Sequence, residues 1–281
     1  MTTGFCQALS ALMVGGALVL GALQMALAAE PPLIERLEAL SDADYDDLLD
    51  FVEGNALFTL YHEAGHMLVS QLDLPVLGQE EDAVDNLATI SMLQSGDADM
   101  DHLLSQAMLG WFLSASDAYD DLVFHGEHDL DLQRGYRMLC LMVGSDPDAF
   151  GELAADLELP GDRVETCPAD YDQAVAAWDG VTEAHRKPEN GGGLRWIEVR
   201  HDPAPEDLAP FAELLKETEL MEVVAQEMDD LYRLPAPVLF RSTACQEANA
   251  FWDPDAREVI LCYELLGAFA ELFLEVLAED D

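Results

Sequence analysis

The chain has 281 residues, with 57 Asp plus Glu against 12 Lys plus Arg and a formal net charge of -45, yet half of its residues are hydrophobic. That apolar share can bury a full core, so the acidity belongs to the surface of a folded protein and not to a disordered tail. Nucleic-acid binding is excluded, because neutralising phosphates takes clustered cations and only two lysines, Lys187 and Lys216, occur; anionic membrane surfaces are disfavoured on the same ground.

The first charged side chain is Glu30, and Ala8 to Ala29 is mostly Ala, Leu, Val, Gly and Met, ending in Ala26-Leu27-Ala28-Ala29. This run predicts an export signal over residues 1–28 and a mature chain from 29 to 281, periplasmic or secreted. Its start lacks the usual Lys or Arg, and about 20 apolar residues could also span a bilayer, so an uncleaved membrane anchor is the alternative. With the leader removed, no stable membrane association is expected.

From Pro31 to about Gly180 apolar residues recur at spacings of three and four, which predicts helices throughout, with breaks at Pro75 to Gly78, Ser95 to Gly96, His125 to Glu127 and Asp146 to Pro147. The first of these helices carries His62-Glu63-Ala64-Gly65-His66. Positions i and i+4 lie one above the other on a helix, so both imidazoles can bind one Zn2+. Glu63 lies about 100° round the helix, placed to act as general base on a zinc-activated water and not as a ligand. An ordinary pair of helical histidines is the plain alternative.

A catalytic zinc needs a third protein ligand and an open position. Pro75 and Gly78 reverse the chain, and a second helix starting near Glu80 can pack back across the first. Glu81 and Asp85, four apart, then share a face: Glu81 as third ligand, Asp85 as the carboxylate that orients a ligating histidine. Glu80 and Asp82 compete for the ligand role, and acidic residues also suit a helix start without any metal.

Pro188-Glu189-Asn190 and the triglycine Gly191 to Gly193 form the clearest loop. Leu194 to Arg200 reads as a short strand, Pro210 to Leu231 as one helix, Val238 to Thr243 and Glu258 to Tyr263 as a hairpin turning at Asp253-Pro254-Asp255, and Leu265 to Leu277 as a last helix. The expected fold is α+β and mainly helical, one domain with a zincin-like helix pair and a small C-terminal sheet. Four cysteines follow the leader. Proximity favours Cys140 with Cys167 and Cys245 with Cys262 as disulfides, in keeping with an oxidising compartment.

HExxH followed by ExxxD resembles the gluzincin arrangement, and Asn55 through Asp85 resembles a bacterial family of metallopeptidases labelled as a domain of unknown function. The resemblance extends over nearly the whole mature chain, including His128 to Arg134, Cys140 to Pro147 and Asn249 to Tyr263. It implies zinc-dependent hydrolysis of a peptide or protein substrate. Two phrases also resemble neprilysin-type peptidases. His128 and Arg134, six apart, have the spacing of the pair that stabilises the tetrahedral intermediate and holds a substrate carbonyl, with His125 a competitor for His128. Asn249-Ala250-Phe251-Trp252 is similar to the edge strand whose Asn-Ala pair grips the substrate backbone. In those enzymes that phrase precedes HExxH; here it follows by almost 190 residues, which implies a permuted order. The rival from another class is a non-catalytic exported protein that keeps a metal site.

Overall fold

The computed structural model describes residues 31–115, 122–188 and 195–280. The proposed leader and the triglycine loop lie outside these residues. Leu33–Asp281 forms one compact unit.

After a short α1 (Leu33–Glu38), the 31-residue α2 (Asp42–Leu72) is the axis of the structure. Ser41 caps it by accepting the Asp44 N–H, and Asp42 and Asp44 in its first turn suit the positive end of the helix dipole. Its middle is buried on nearly all sides. Val52, Ala56, Leu60, Ala64, Met67 and Leu68 are fully buried, because α3 (Glu80–Gln94), α4 (Ala98–Ser114), two C-terminal helices and the sheet all pack against it. A helix enclosed on all sides loses its polar face. The reversal predicted at Pro75 to Gly78 is present, within residues 73–79, with Asp73 left-handed at the end of α2. Gly65 lets α3 come close: a Cβ there would sit 2.8 Å from Val84.

α5 (Asp131–Ser145) packs on α3 and α4, and α6 (Pro147–Asp156) begins where Asp146 accepts two backbone N–H bonds. The short α7 (Gly161–Val164) and α8 (Cys167–Thr182) complete this half, with the Cys140–Cys167 disulfide joining α5 to the start of α8. The breaks at 157–160 and 165–166 add to those expected.

The C-terminal third corrects two expectations. The helix predicted over 210–231 is two, α9 (Ala209–Thr218) and α10 (Leu220–Leu231), broken at Glu219 with φ 54. The break turns both apolar faces, Phe211 and Leu215 on one and Met221, Val224 and Met228 on the other, into the same core. The sheet consists of β1 (Ile197–His201), β2 (Val238–Thr243), β3 (Ala250–Asp253) and β4 (Glu258–Cys262) in the order β1-β2-β4-β3. Val238 to Thr243 is therefore not half of a hairpin: it runs parallel to both β1 and β4, and the hairpin is β3 with β4. β2 has buried positions alternating along it and β4 is buried from Val259 to Cys262, as expected of strands covered on their faces. The Cys245–Cys262 disulfide ties the end of β4 to the segment after β2. α11 (Tyr263–Asp280) follows directly and packs on α2. β3 is one of the two edge strands, and it lies against α2.

Candidate metal centre

His62, Glu63 and His66 occupy the buried middle of α2, and the first turns of α3 face them. His62 Nε2 lies 3.1 Å from Glu81 Oε2, His66 Nε2 lies 3.3 Å from the same oxygen, and the two Nε2 atoms are 3.2 Å apart. Tetrahedral zinc with bonds of about 2.0–2.1 Å requires donors roughly 3.3 Å apart. These three atoms form such a triangle.

The chemistry of the donors fits a cation more strongly than the distances do. His62 Nδ1 is 2.7 Å from Asp85 Oδ1, and His66 Nδ1 is 2.8 Å from Glu80 Oε1. A carboxylate can only accept, so each Nδ1 carries the hydrogen and each Nε2 presents a lone pair. Two imidazole lone pairs and a carboxylate oxygen thus converge on one point, which is repulsive unless a proton or a metal ion sits there. The pKa directions show the same demand. Burial pulls His62 down, but hydrogen bonds to Asp85 and Glu81 outweigh it and push its pKa up to about 9. Burial raises Glu81, but the hydrogen bonds from His62 and His66 prevail and hold its carboxyl well below the usual range.

That proton gives a pH test. A histidine whose folded pKa is raised contributes stability that is complete below its ordinary value of 6.5 and is lost as pH rises through about 9. Metal-stripped protein should therefore lose thermal stability across this window. Added zinc, which replaces the proton, should raise the Tm more at the alkaline end than at the acid end. Differential scanning calorimetry with and without zinc measures both.

Asp85 does more than orient His62. Arg134 on α5 donates to it twice, Nε to Oδ2 and Nη2 to Oδ1, both at 2.8 Å, while its guanidinium lies 3.6 Å from the centroid of the Trp111 ring. Burial raises Asp85, but its hydrogen bonds with His62 and Arg134 overcome this and hold its pKa at about 2. Arg134, expected to hold a substrate carbonyl, is paired with Asp85 in the structure. Its guanidinium is buried at 8% exposure behind the histidines, against Trp111 and committed to Asp85, so it does not reach the open side.

His128 does reach that side. Its Nε2 lies 2.8 Å from Glu81 Oε2, its ring stacks beside that of His62, and it is half exposed. His125 is exposed and is not among the grouped donors. Of the rival ligands, Glu80 is the partner of His66 Nδ1, and Asp82 pairs with Arg137. Glu63 is buried, and the Trp252 backbone N–H of β3 donates to it. Burial is the largest influence and raises its pKa; His62, His66 and that N–H oppose the rise without cancelling it. Asn249 and Ala250 lie at the start of this edge strand, three and two residues before Trp252. The Asn249 side chain accepts the Ala250 N–H, and the Asn249 carbonyl pairs with Cys262. A cavity of about 640 Å³ between α3, α5 and α8 is lined by none of His62, Glu63, His66, Glu81, Asp85 and His128; Asp82, Ala83 and Asn86 line it from the opposite face of α3.

Sequence reasoning missed three contributors: Glu80 as the His66 partner, Trp111 under Arg134, and the main chain of Trp252. Only Glu80, fourteen residues after His66 and beside Glu81, carried a local signal.

A paired-histidine helix faces a carboxylate helix beside a sheet edge, an arrangement that could hold a metal ion. The chain belongs to the DUF4344 family, described as "Putative metallopeptidase", whose model matches residues 25–181 and 201–281. No curated protein and no solved structure gives a significant match.

Proposed function

We propose that the protein is an exported, zinc-dependent peptidase with a gluzincin-type centre. The observation that carries this is the convergence of His62, His66 and Glu81 on one point, each histidine backed by a carboxylate, with a buried glutamate of raised pKa beside them. His62, His66 and Glu81 hold the ion, and Asp85 and Glu80 fix the tautomers. Zinc supplies Lewis acidity toward the scissile carbonyl and the attacking water. Glu63 takes a proton from that water and delivers it to the leaving amine. His128, on the open side, is the donor available to the developing oxyanion. The free edge of β3 offers main-chain pairing to an extended peptide, with Asn249 and Ala250 at its entry. Export is supported by the uncharged apolar run before Glu30 and by two disulfides in one chain; residues 1–28 are then the leader and 29–281 one catalytic domain. The net charge of -45 favours the approach of cationic peptides.

The test is metal analysis of the purified protein beside cleavage of a diverse peptide library. One equivalent of zinc, with cleavage abolished by a chelator and restored by zinc, is expected. Stoichiometric zinc with no cleavage of any peptide would leave a metal-binding protein and overturn the peptidase reading.

Arg134 gives a subsidiary prediction. Arg134→Gln removes the charge that holds Asp85, and zinc affinity should fall about 10–100-fold, as for other outer-shell changes. Arg134→Lys should restore part of it, read by chelator competition. A residue that contacted substrate would instead alter turnover at unchanged affinity.

A further inference from the structure

We propose that His128 is a fourth protein ligand in the substrate-free protein, closing the coordination position that a substrate requires. This rests on the metal site of the preceding section and adds a resting state to it. His128 Nε2 points at the same oxygen, Glu81 Oε2, that His62 and His66 face, at 2.8 Å against 3.1 and 3.3 Å for the other two. With the His62–His66 separation of 3.2 Å, four of the six edges of a donor tetrahedron lie within about 0.5 Å of the length that zinc requires. Donor atoms of His62, Glu81 and His128 all fall within 4.8 Å of one another, a group that does not extend to His66. A group serving only the oxyanion would stand about one substrate atom further out, in hydrogen-bond reach of the carbonyl and not of a ligand oxygen.

The three inner ligands are fixed by helices, and two of them are backed by carboxylate partners. His128 differs on both counts. It sits on residues 122–130, which form turns and bends without helix or strand, and its side chain is 49% exposed. Its ring can therefore withdraw without disturbing α2 or α3. Closure by a displaceable histidine leaves the ion four-coordinate and protects it from stray anions. A peptide aligned on β3 would displace the imidazole, which, once it takes up a proton from solvent, could donate to the developing oxyanion.

The experiment is cobalt titration of metal-stripped wild type, His128→Ala and His128→Gln, with Glu81→Ala alongside, read by visible absorption and by affinity. Wild type should show a four-coordinate spectrum that azide does not change. The His128 variants should still bind one cobalt, at least about tenfold more weakly, with an altered spectrum that now responds to azide. Identical spectra and affinities in wild type and both His128 variants would overturn the fourth ligand while leaving the three-residue site intact. Failure of wild type itself to bind cobalt would overturn both.

Discussion

Glu63→Gln is expected to leave one equivalent of zinc bound and to reduce kcat/KM by at least about 10²–10⁴-fold, the usual contribution of a positioned general base. Gln has nearly the same volume, and its carbonyl oxygen can still accept the Trp252 N–H, so this buried position remains filled and hydrogen-bonded. What is lost is a basic carboxylate. Burial makes that carboxylate more basic than an exposed one, and a base of higher pKa removes a proton more readily. Glu63 must be ionised to act, so kcat/KM should fall as decreasing pH protonates it. Zinc content by atomic emission beside peptide-cleavage kinetics separates the outcomes. Loss of zinc in Glu63→Gln would mean that Glu63 is itself a ligand and that the base must be sought elsewhere.

The parts of the site legible in the sequence are those governed by helical periodicity. His62 and His66 are four apart, as are Glu81 and Asp85, and the Pro75 to Gly78 break requires the second helix to return across the first. Local pattern therefore fixed which faces could meet. It could not fix what arrives from elsewhere in the chain. Arg134 lies 49 residues from Asp85, and its six-residue spacing from His128 suggested that the two work together. In the fold α5 approaches from behind, where Gly135 lets it close on Phe112 and Trp111, so one end of that phrase faces the metal position and the other its rear. The sheet illustrates the same limit. Short apolar runs show that Val238 to Thr243 and Glu258 to Cys262 are extended, but not that helices between β1 and β2 make their pairing parallel, nor that β3 is the outer strand. The position of β3 matters most, because it brings a main-chain N–H from residue 252 to a carboxylate at residue 63.

Glu81→Ala should weaken metal binding about 10²-fold without unfolding the protein. Glu81 Oε2 is the atom on which His62, His66 and His128 all converge, so its removal takes away one ligand and the common focus of the other three. If a zinc binding energy of about 10–16 kcal/mol is shared among roughly four ligands, the loss is on the order of 3 kcal/mol, or about 10²-fold in affinity. The fold should survive. Glu81 lies in the first turn of α3, and the packing of that helix on α2 depends on Val84, Leu87 and Ala88. Glu80→Ala provides the graded comparison: it leaves all ligands in place and removes only the exposed partner of His66 Nδ1, so affinity should fall about tenfold. Circular dichroism would show the fold, and melting with and without zinc would show the site. Glu81→Ala should be folded with a Tm that responds only at about 10²-fold higher zinc, whereas Glu80→Ala should respond at about tenfold higher zinc. A Glu81→Ala protein that retains stoichiometric zinc through dialysis would transfer the third-ligand role to another carboxylate.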